Sequence, residues 1–212
     1  MKIALIGATG FIGTAALKEA SARGHSVSAI VRNPEKVETL PGVTPVKADV
    51  TKPVALKKVA TGHDVIIAAF NGGWGDPDIY RKQLEGSRAI IAAAKDIGTR
   101  LIMIGGAGSL ELEPGKQLVD SPDFPSEWKE GARGARDALT EIRNETGLVW
   151  SFVSPPIHLA PGERTGKFRL GGDQPVFDAN GESSASVEDL AVAIVDEAET
   201  PKHIGRRFTL GY

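Results

Sequence analysis

The chain of 212 residues contains no cysteine, and this absence removes several kinds of chemistry. Disulfides, thiolate nucleophiles and cysteine-ligated metals are excluded. The His, Asp and Glu residues show no metal-ligand spacing, so we expect no metal site. The length is sufficient for one domain with a full core and too short for two comfortable ones.

A strong charge of one sign and a long apolar run are also missing. The formal net charge is −2 and no long basic run occurs, which argues against nucleic acid or an anionic membrane surface as a partner. No apolar stretch approaches the length of a membrane span. Because the first residues lead directly into a strand-like segment, we expect no signal peptide and a cytoplasmic location.

Glycine, in contrast, is concentrated at one junction near the start of the chain. The segment Gly7-Ala8-Thr9-Gly10-Phe11-Ile12-Gly13 follows the apolar run 3–6 and opens an amphipathic helical pattern. Glycines let a backbone pass close to phosphates, and a helix N-terminus supplies free N–H groups and a favourable dipole. The junction therefore predicts a site for a dinucleotide pyrophosphate. The alternative is an ordinary strand-to-helix turn that is rich in glycine.

Arg32 indicates which dinucleotide such a site would accept. A second strand pattern, 27–31, ends about 20 residues after the glycines, where an NAD site usually places Asp or Glu on the ribose. A guanidinium can instead form paired, charge-assisted hydrogen bonds with a 2′-phosphate, whereas it has no such interaction with a bare 2′-hydroxyl. We therefore expect NADPH in preference to NADH, the alternative being a solvated arginine at a strand end.

Alternating strand and helix patterns predict an α/β fold, a Rossmann-type doubly wound parallel sheet. Pro45 cannot donate to a strand ladder, so its short strand is expected at the sheet edge, in agreement with a strand order of 3-2-1-4-5. The apolar run 64–70 suits a central strand covered on both faces. Further strands are expected at 101–104 and 149–153, and helices at 78–96 and 127–144.

The last third of the chain changes character. Asn180-Gly181 is a hairpin signal, and Ser186 to Asp189 is typical of a capping box that opens a helix. We expect one domain, 1–212, whose first 154 residues form the dinucleotide-binding core, with residues 155–212 as a small α+β lid on the substrate side. Short runs of apolar and polar residues occur at 168–170 and 175–177. The helix that opens at the capping box is expected to extend to about residue 197, and a final strand is expected at 207–210.

These features resemble the atypical short-chain dehydrogenase/reductases, and within them the NmrA-like branch of NADH-flavin reductases. The resemblance covers essentially the whole chain and includes relatives that reduce biliverdin-IXβ and flavin. The residues that carry it are the glycine turn, Arg32, Asp49-Val50, Gly105-Gly106-Ala107-Gly108-Ser109, the segment 161–167, the segment 186–189 and the C-terminal Phe-Thr-Leu-Gly-Tyr.

The resemblance implies a set of residues that bind the cofactor. It places pyrophosphate on the glycine turn, the 2′-phosphate on Arg32, the adenine amino group on Asp49, and nicotinamide between the ends of the fourth and sixth strands. The implied residues are Gly7, Thr9, Gly10, Phe11, Ile12, Gly13, Arg32, Asp49, Val50, Ala68, Phe70, Asn71, Ser154 and Pro155.

The catalytic step is constrained by the scarcity of tyrosine. Short-chain dehydrogenases use Tyr-x-x-x-Lys to move the alcohol proton, but Tyr80 is followed by Leu84 and Tyr212 is the last residue. Alcohol oxidation, epimerisation and dehydration by that route are therefore not expected. Hydride transfer to a flavin or quinone needs no positioned strong acid, because the acceptor ring delocalises the charge.

Candidate substrate-side residues follow from this interpretation. Trp74 and Trp128 are candidates for stacking on a flat acceptor, and Arg169 for contact with a polar substrate. Ser109 and His158 are the candidate catalytic residues, although a related family's histidine lies one place earlier than His158. The alternatives are a non-catalytic NADP(H) sensor of the NmrA-like type and a reductase of a specific carbonyl or double-bonded metabolite. The expected partner is a small molecule, and a homodimer is compatible with the sequence.

Overall fold

A computed structural model describes residues 1–212 and confirms the doubly wound α/β fold. The strands are β1 Lys2–Ile6, β2 Ser26–Val31, β3 Val43–Lys47, β4 Val65–Ala68, β5 Arg100–Ile104, β6 Glu111–Glu113, β7 Lys116–Gln117, β8 Trp150–Val153, β9 His158–Ala160, β10 Arg169–Gly171, β11 Ser184–Ser186 and β12 Arg207–Gly211. The helices are α1 Phe11–Ala22, α2 Pro53–Ala60, α3 Ile79–Ile97, α4 Ser126–Arg143 and α5 Val187–Glu199.

Eight strands form the main sheet in the order β10-β12-β8-β5-β4-β1-β2-β3. Every pairing is parallel except that of β10 with β12. The predicted order of the first five strands is thereby confirmed, and Pro45 lies on the edge strand opposite Ala29. All four residues of β4 are buried, as a central strand with both faces covered requires.

The sheet separates two hydrophobic cores. One contains apolar residues of α1 and α5, and the other contains those of α2, α3 and α4. Parallel strands present their carboxyl ends at one edge of the sheet, and binding crevices of such folds lie there. The glycine turn after β1 and the segments after β2, β4, β5 and β8 therefore meet at that edge.

The C-terminal third is more deeply integrated than a lid. β12 pairs with β8 inside the main sheet, and α5 packs with α1 on one of its faces. What remains on the crevice side is the two-stranded parallel sheet of β9 and β11 with the loops around it. The expected lid therefore corresponds only to this smaller part.

The hairpin predicted at Asn180-Gly181 is not formed. The Asp178 carboxylate accepts hydrogen bonds from the N–H groups of Asn180 and Glu182, each at 2.8 Å, so the turn closes on itself. The following strand, β11, pairs in parallel with β9, and residues 175–177 form no strand. The predicted cap of α5 is present, since Ser186 Oγ accepts from the N–H of Asp189 at 3.0 Å.

None of the five helices has both the length and the apolar character that crossing a bilayer would need.

A substitution at Gly105 tests how tightly the residues at the carboxyl end of β5 are packed. A Cβ at this position would lie 2.2 Å from Cζ of Phe152, whose side chain is fully buried and has no room to move aside. We expect Gly105→Ala to lower the free energy of unfolding by about 1–3 kcal/mol through overpacking. Gly172→Ala is the control, because open space surrounds that glycine. Equal stability of the two variants in urea denaturation would contradict this packing.

Candidate functional site

The glycine turn brings three backbone segments into contact. Gly7 has a φ of +77°, and a Cβ there would lie 2.2 Å from the carbonyl oxygen of Ala69, just after β4. A Cβ on Gly13 would lie 2.0 Å from the carbonyl oxygen of Gly7. Both positions therefore need glycine: Gly7 so that the turn can form beside β4, and Gly13 so that α1 can approach the turn.

The N-terminus of α1 is open toward the crevice. Gly10 is the N-cap and supplies no side-chain hydrogen bond, and the N–H groups of Phe11 and Ile12 make no hydrogen bond within the chain. Thr9, Gly10 and Phe11 are exposed and line a groove whose opposite wall includes Pro161. Free donors at a helix N-terminus fit the phosphates of a dinucleotide, so this cradle suits the predicted cofactor.

The predicted adenosine end is formed where β2 and β3 finish. Arg32 is exposed and its guanidinium makes no hydrogen bond or ion pair, while Val50 is buried in the core shared with α2, α3 and α4. Asp49 Oδ1 accepts from the hydroxyl of Thr51 at 2.7 Å and from its N–H at 3.0 Å. The hydrogen bond from the Thr51 hydroxyl is the main cause that holds the pKa of Asp49 below its usual range. At neutral pH Asp49 is therefore a pure acceptor.

The end of β4 and the residues after it form one border of the crevice, and burial decreases from Ala68 to the exposed Asn71. Ala68 is buried, and the Phe70 ring packs against Gly86 of α3, where an added Cβ would lie 2.3 Å from the ring. Asn71 Oδ1 accepts from the N–H of Gly73 at 2.7 Å. Ala68, Phe70 and Asn71 thus shape the loop that borders the crevice.

The end of β8 contains an unusual buried hydroxyl. Ser154 is fully buried and Pro155 follows it in a buried position. Ser154 Oγ has no hydrogen-bond partner, and neither has Oγ1 of Thr209 on the neighbouring β12. The N–H of Ser154 donates to the carbonyl of Phe208 at 2.9 Å, which places these two hydroxyl-bearing residues side by side.

The two tryptophan candidates lie on α4 and on the loop after β4. The Trp74 indole lies over Gly131, since a Cβ there would be 3.0 Å from Cζ3 of the ring. Trp128 precedes Gly131 by three residues and is therefore on the same helix face. Both tryptophans are more than half exposed, at 63% and 54%. The structure thus brings together the two aromatic candidates along a helix face of small residues, including Ala132 and Ala135.

Of the remaining candidates, two are engaged in contacts within the protein. Ser109 is 2% exposed, and its hydroxyl donates to the Gly106 carbonyl at 3.3 Å and accepts from Arg207 at 3.1 Å. The Arg169 guanidinium donates to the carbonyl oxygens of Phe177 and Tyr212. His158 begins β9, and its side chain is exposed without a hydrogen bond.

Two residues near the site had no sequence signal. Thr209 becomes a neighbour of Ser154 only because β12 joins the main sheet beside β8, a pairing of distant segments. Arg207, fully buried as a side chain, donates to Asp173 at 2.6 Å and to the Ser109 carbonyl at 2.7 Å. In the sequence Arg207 looks like an ordinary charged residue at the start of a strand, and only the assembled sheet shows its buried contacts.

Comparison with known proteins identifies the family. The NAD(P)H-binding family matches residues 7–199. The chain belongs to this family. Bacillus subtilis YwnB is 38% identical to this NAD(P)H-binding protein over 214 residues, which cover 99% of the chain and 98% of YwnB.

Solved structures of similar proteins agree. A candidate epimerase from Bacteroides thetaiotaomicron superimposes with a TM-score of 0.93 and 42% identity, covering 100% of this chain and 96% of its own. A candidate NADH-flavin reductase from Streptococcus pneumoniae gives 0.89 and 36%, covering 100% and 99%. The resemblance to atypical short-chain dehydrogenase/reductases is confirmed, and with it a nicotinamide cofactor and membership of an oxidoreductase family.

Ser151 in β8 and Ser154 just after it allow a test of what a hydrogen bond contributes at a buried hydroxyl. Both residues are 0% exposed, but Ser151 Oγ donates to the Glu197 carboxylate at 2.7 Å and Ser154 Oγ has no partner. We expect Ser151→Ala to lower the free energy of unfolding by about 1.5–3 kcal/mol, whereas Ser154→Ala leaves it unchanged or raises it. Denaturant unfolding of both variants measures this. A comparable loss in both would show that Ser154 is hydrogen-bonded in solution.

Proposed function

We propose that the protein is an NADPH-dependent oxidoreductase that transfers hydride to a flavin, a quinone or a similar flat acceptor. The observation that carries this proposal is the pair of exposed tryptophans on and beside α4. Where Tyr-x-x-x-Lys enzymes carry their proton donor, this helix reads Trp128-Lys129-Glu130-Gly131-Ala132, and the Trp74 ring lies over Gly131. Such a surface can hold a flat ring, and it has no Tyr-Lys pair to protonate an alkoxide.

Each end of the cofactor has a defined support in this proposal. When bound, the nicotinamide ring supplies the hydride. The open N-terminus of α1 holds the pyrophosphate, Arg32 faces the 2′-phosphate and Asp49 accepts from the adenine amino group. Trp74 and Trp128 orient the acceptor. Catalysis then rests on holding two flat rings face to face, which is catalysis by proximity.

The two tyrosines support a flavin or quinone acceptor rather than epimerisation, the chemistry that the name of the Bacteroides relative would suggest. The Tyr80 hydroxyl of α3 donates to Asp137 of α4 at 2.7 Å. The Tyr212 hydroxyl donates to Asp189 at 2.9 Å. Both hydroxyls are committed to neighbouring carboxylates and neither has a lysine four residues later.

A non-catalytic NADP(H) sensor is the second candidate. It is favoured by the same absence of a Tyr-Lys pair on α4, because a protein that only binds the dinucleotide needs none. The two candidates differ in turnover, not in cofactor affinity.

The decisive measurement is NADPH oxidation, followed at its absorbance, with FMN, riboflavin and a simple quinone. We expect turnover, and we expect Trp74→Ala to raise the KM for the acceptor roughly two- to tenfold with an unchanged Kd for NADPH, the equivalent of an aromatic contact of about 0.5–1.5 kcal/mol. Trp74→Phe keeps a flat ring and should retain most of the affinity.

The control for these variants is Leu112→Ala, which shortens an exposed apolar side chain on β6. Tight NADPH binding without turnover on any acceptor would favour the sensor. A large fall in kcat in Ser109→Ala or His158→Ala would favour reduction of a specific carbonyl compound.

A further inference from the structure

Lys52 is an exposed cation next to the predicted adenosine end of the crevice. It is the N-cap of α2, which begins at Pro53. Its ammonium group makes no ion pair, in contrast to Lys57 on the same helix, which lies 2.9 Å from the Asp96 carboxylate. The sequence pattern gave it no role, since it follows β3 in an ordinary polar loop.

The strand register places Lys52 and Arg32 around the same carboxylate. Val31 pairs with Lys47, and the N–H of Ala48 donates to the Val31 carbonyl at 3.0 Å, so the chain leaves β2 and β3 at the same level. A tight turn follows at residues 49–52, in which the N–H of Lys52 donates to the Asp49 carbonyl at 3.0 Å. Arg32 and Asp49 therefore follow adjacent strands, and the turn keeps Lys52 close to Asp49.

The electrostatics agree with this placement. After the hydrogen bonds from Thr51, the charges of Lys52 and Arg32 both act to lower the pKa of Asp49. Two cations facing one carboxylate leave one positive charge without a counterpart. A phosphate monoester carries about −1.5 to −2 charges at neutral pH, so such a group would complete the charge balance.

We propose that Lys52 is a second ligand of the 2′-phosphate of NADPH, opposite Arg32, and that the two cations together set the preference for NADPH over NADH. The inference rests on the proposed NADPH preference. Arg32 offers a planar fork to the phosphate oxygens, whereas Lys52 contributes a point charge from the α2 side. Asp49, whose hydrogen bonds come from Thr51, remains available to the adenine amino group.

The test is calorimetric binding of NADPH, NADH and 2′,5′-ADP to the whole chain. We expect Lys52→Gln to weaken NADPH and 2′,5′-ADP about tenfold, as for loss of one charge-assisted contact, and to leave NADH within about twofold. The control is Lys58→Gln, another exposed lysine of α2 without an ion pair, which should change none of the three affinities. The effect of Lys52→Gln should shrink at high ionic strength because the site is exposed.

The other outcomes separate this inference from the proposed function. Equal weakening of NADPH and NADH in Lys52→Gln would overturn the role at the 2′-phosphate. Loss of the NADPH preference in Arg32→Gln but not in Lys52→Gln would overturn the inference and leave the NADPH preference intact. A wild-type protein that binds NADPH and NADH equally would overturn that preference itself, and with it the basis of the inference.

Discussion

The close approach of three backbone segments at Gly7 is the contact on which the cofactor site depends. The turn after β1 passes so near the chain after β4, and α1 so near the turn, that neither Gly7 nor Gly13 has space for a Cβ. This contact fixes where α1 begins, and hence where its free N–H groups point. The crevice, the groove wall at Pro161 and the ends of β4 and β8 are arranged around that fixed helix end.

A second set of contacts, made by charged and hydroxyl groups, holds the C-terminal third against this frame. The Asp189 side chain is buried and accepts hydrogen bonds from Thr165, from the N–H of Gly166 and from the Tyr212 hydroxyl. These bonds tie the loop after β9 to α5. A buried carboxylate without hydrogen bonds would lower the stability of the fold, so the hydrogen bonds to Asp189 favour the observed position of the loop. The loop thus stays across the groove from the glycine turn.

The sequence predicts the local features well, because they depend on neighbouring residues. The strand order, the glycine turn and the cap at Ser186 follow from glycine, proline and hydroxyl positions, and the structure confirms them. The prediction of a hairpin at Asn180-Gly181 was wrong because the Asp178 carboxylate closes the turn by accepting from the N–H of Asn180. The dipeptide alone gives no information on this hydrogen bond. The placement of β12, and with it that of Thr209, depends on pairing across distant segments, and short-range patterns carry no information on such pairing.

The two ends of the crevice differ in a way that bears on specificity. The proposed adenosine end is exposed and charged, with donors and acceptors around Asp49, so it can discriminate between dinucleotides by hydrogen bonds and charge. The proposed acceptor end has exposed aromatic rings over small residues, whereas the hydroxyls of Ser154 and Thr209 are buried. Stacking selects flatness and size, whereas strong discrimination needs buried polar groups that a wrong substrate leaves unpaired. In the proposed function, exposed charges therefore set a preference between dinucleotides, and stacking leaves the choice of flat acceptor broad.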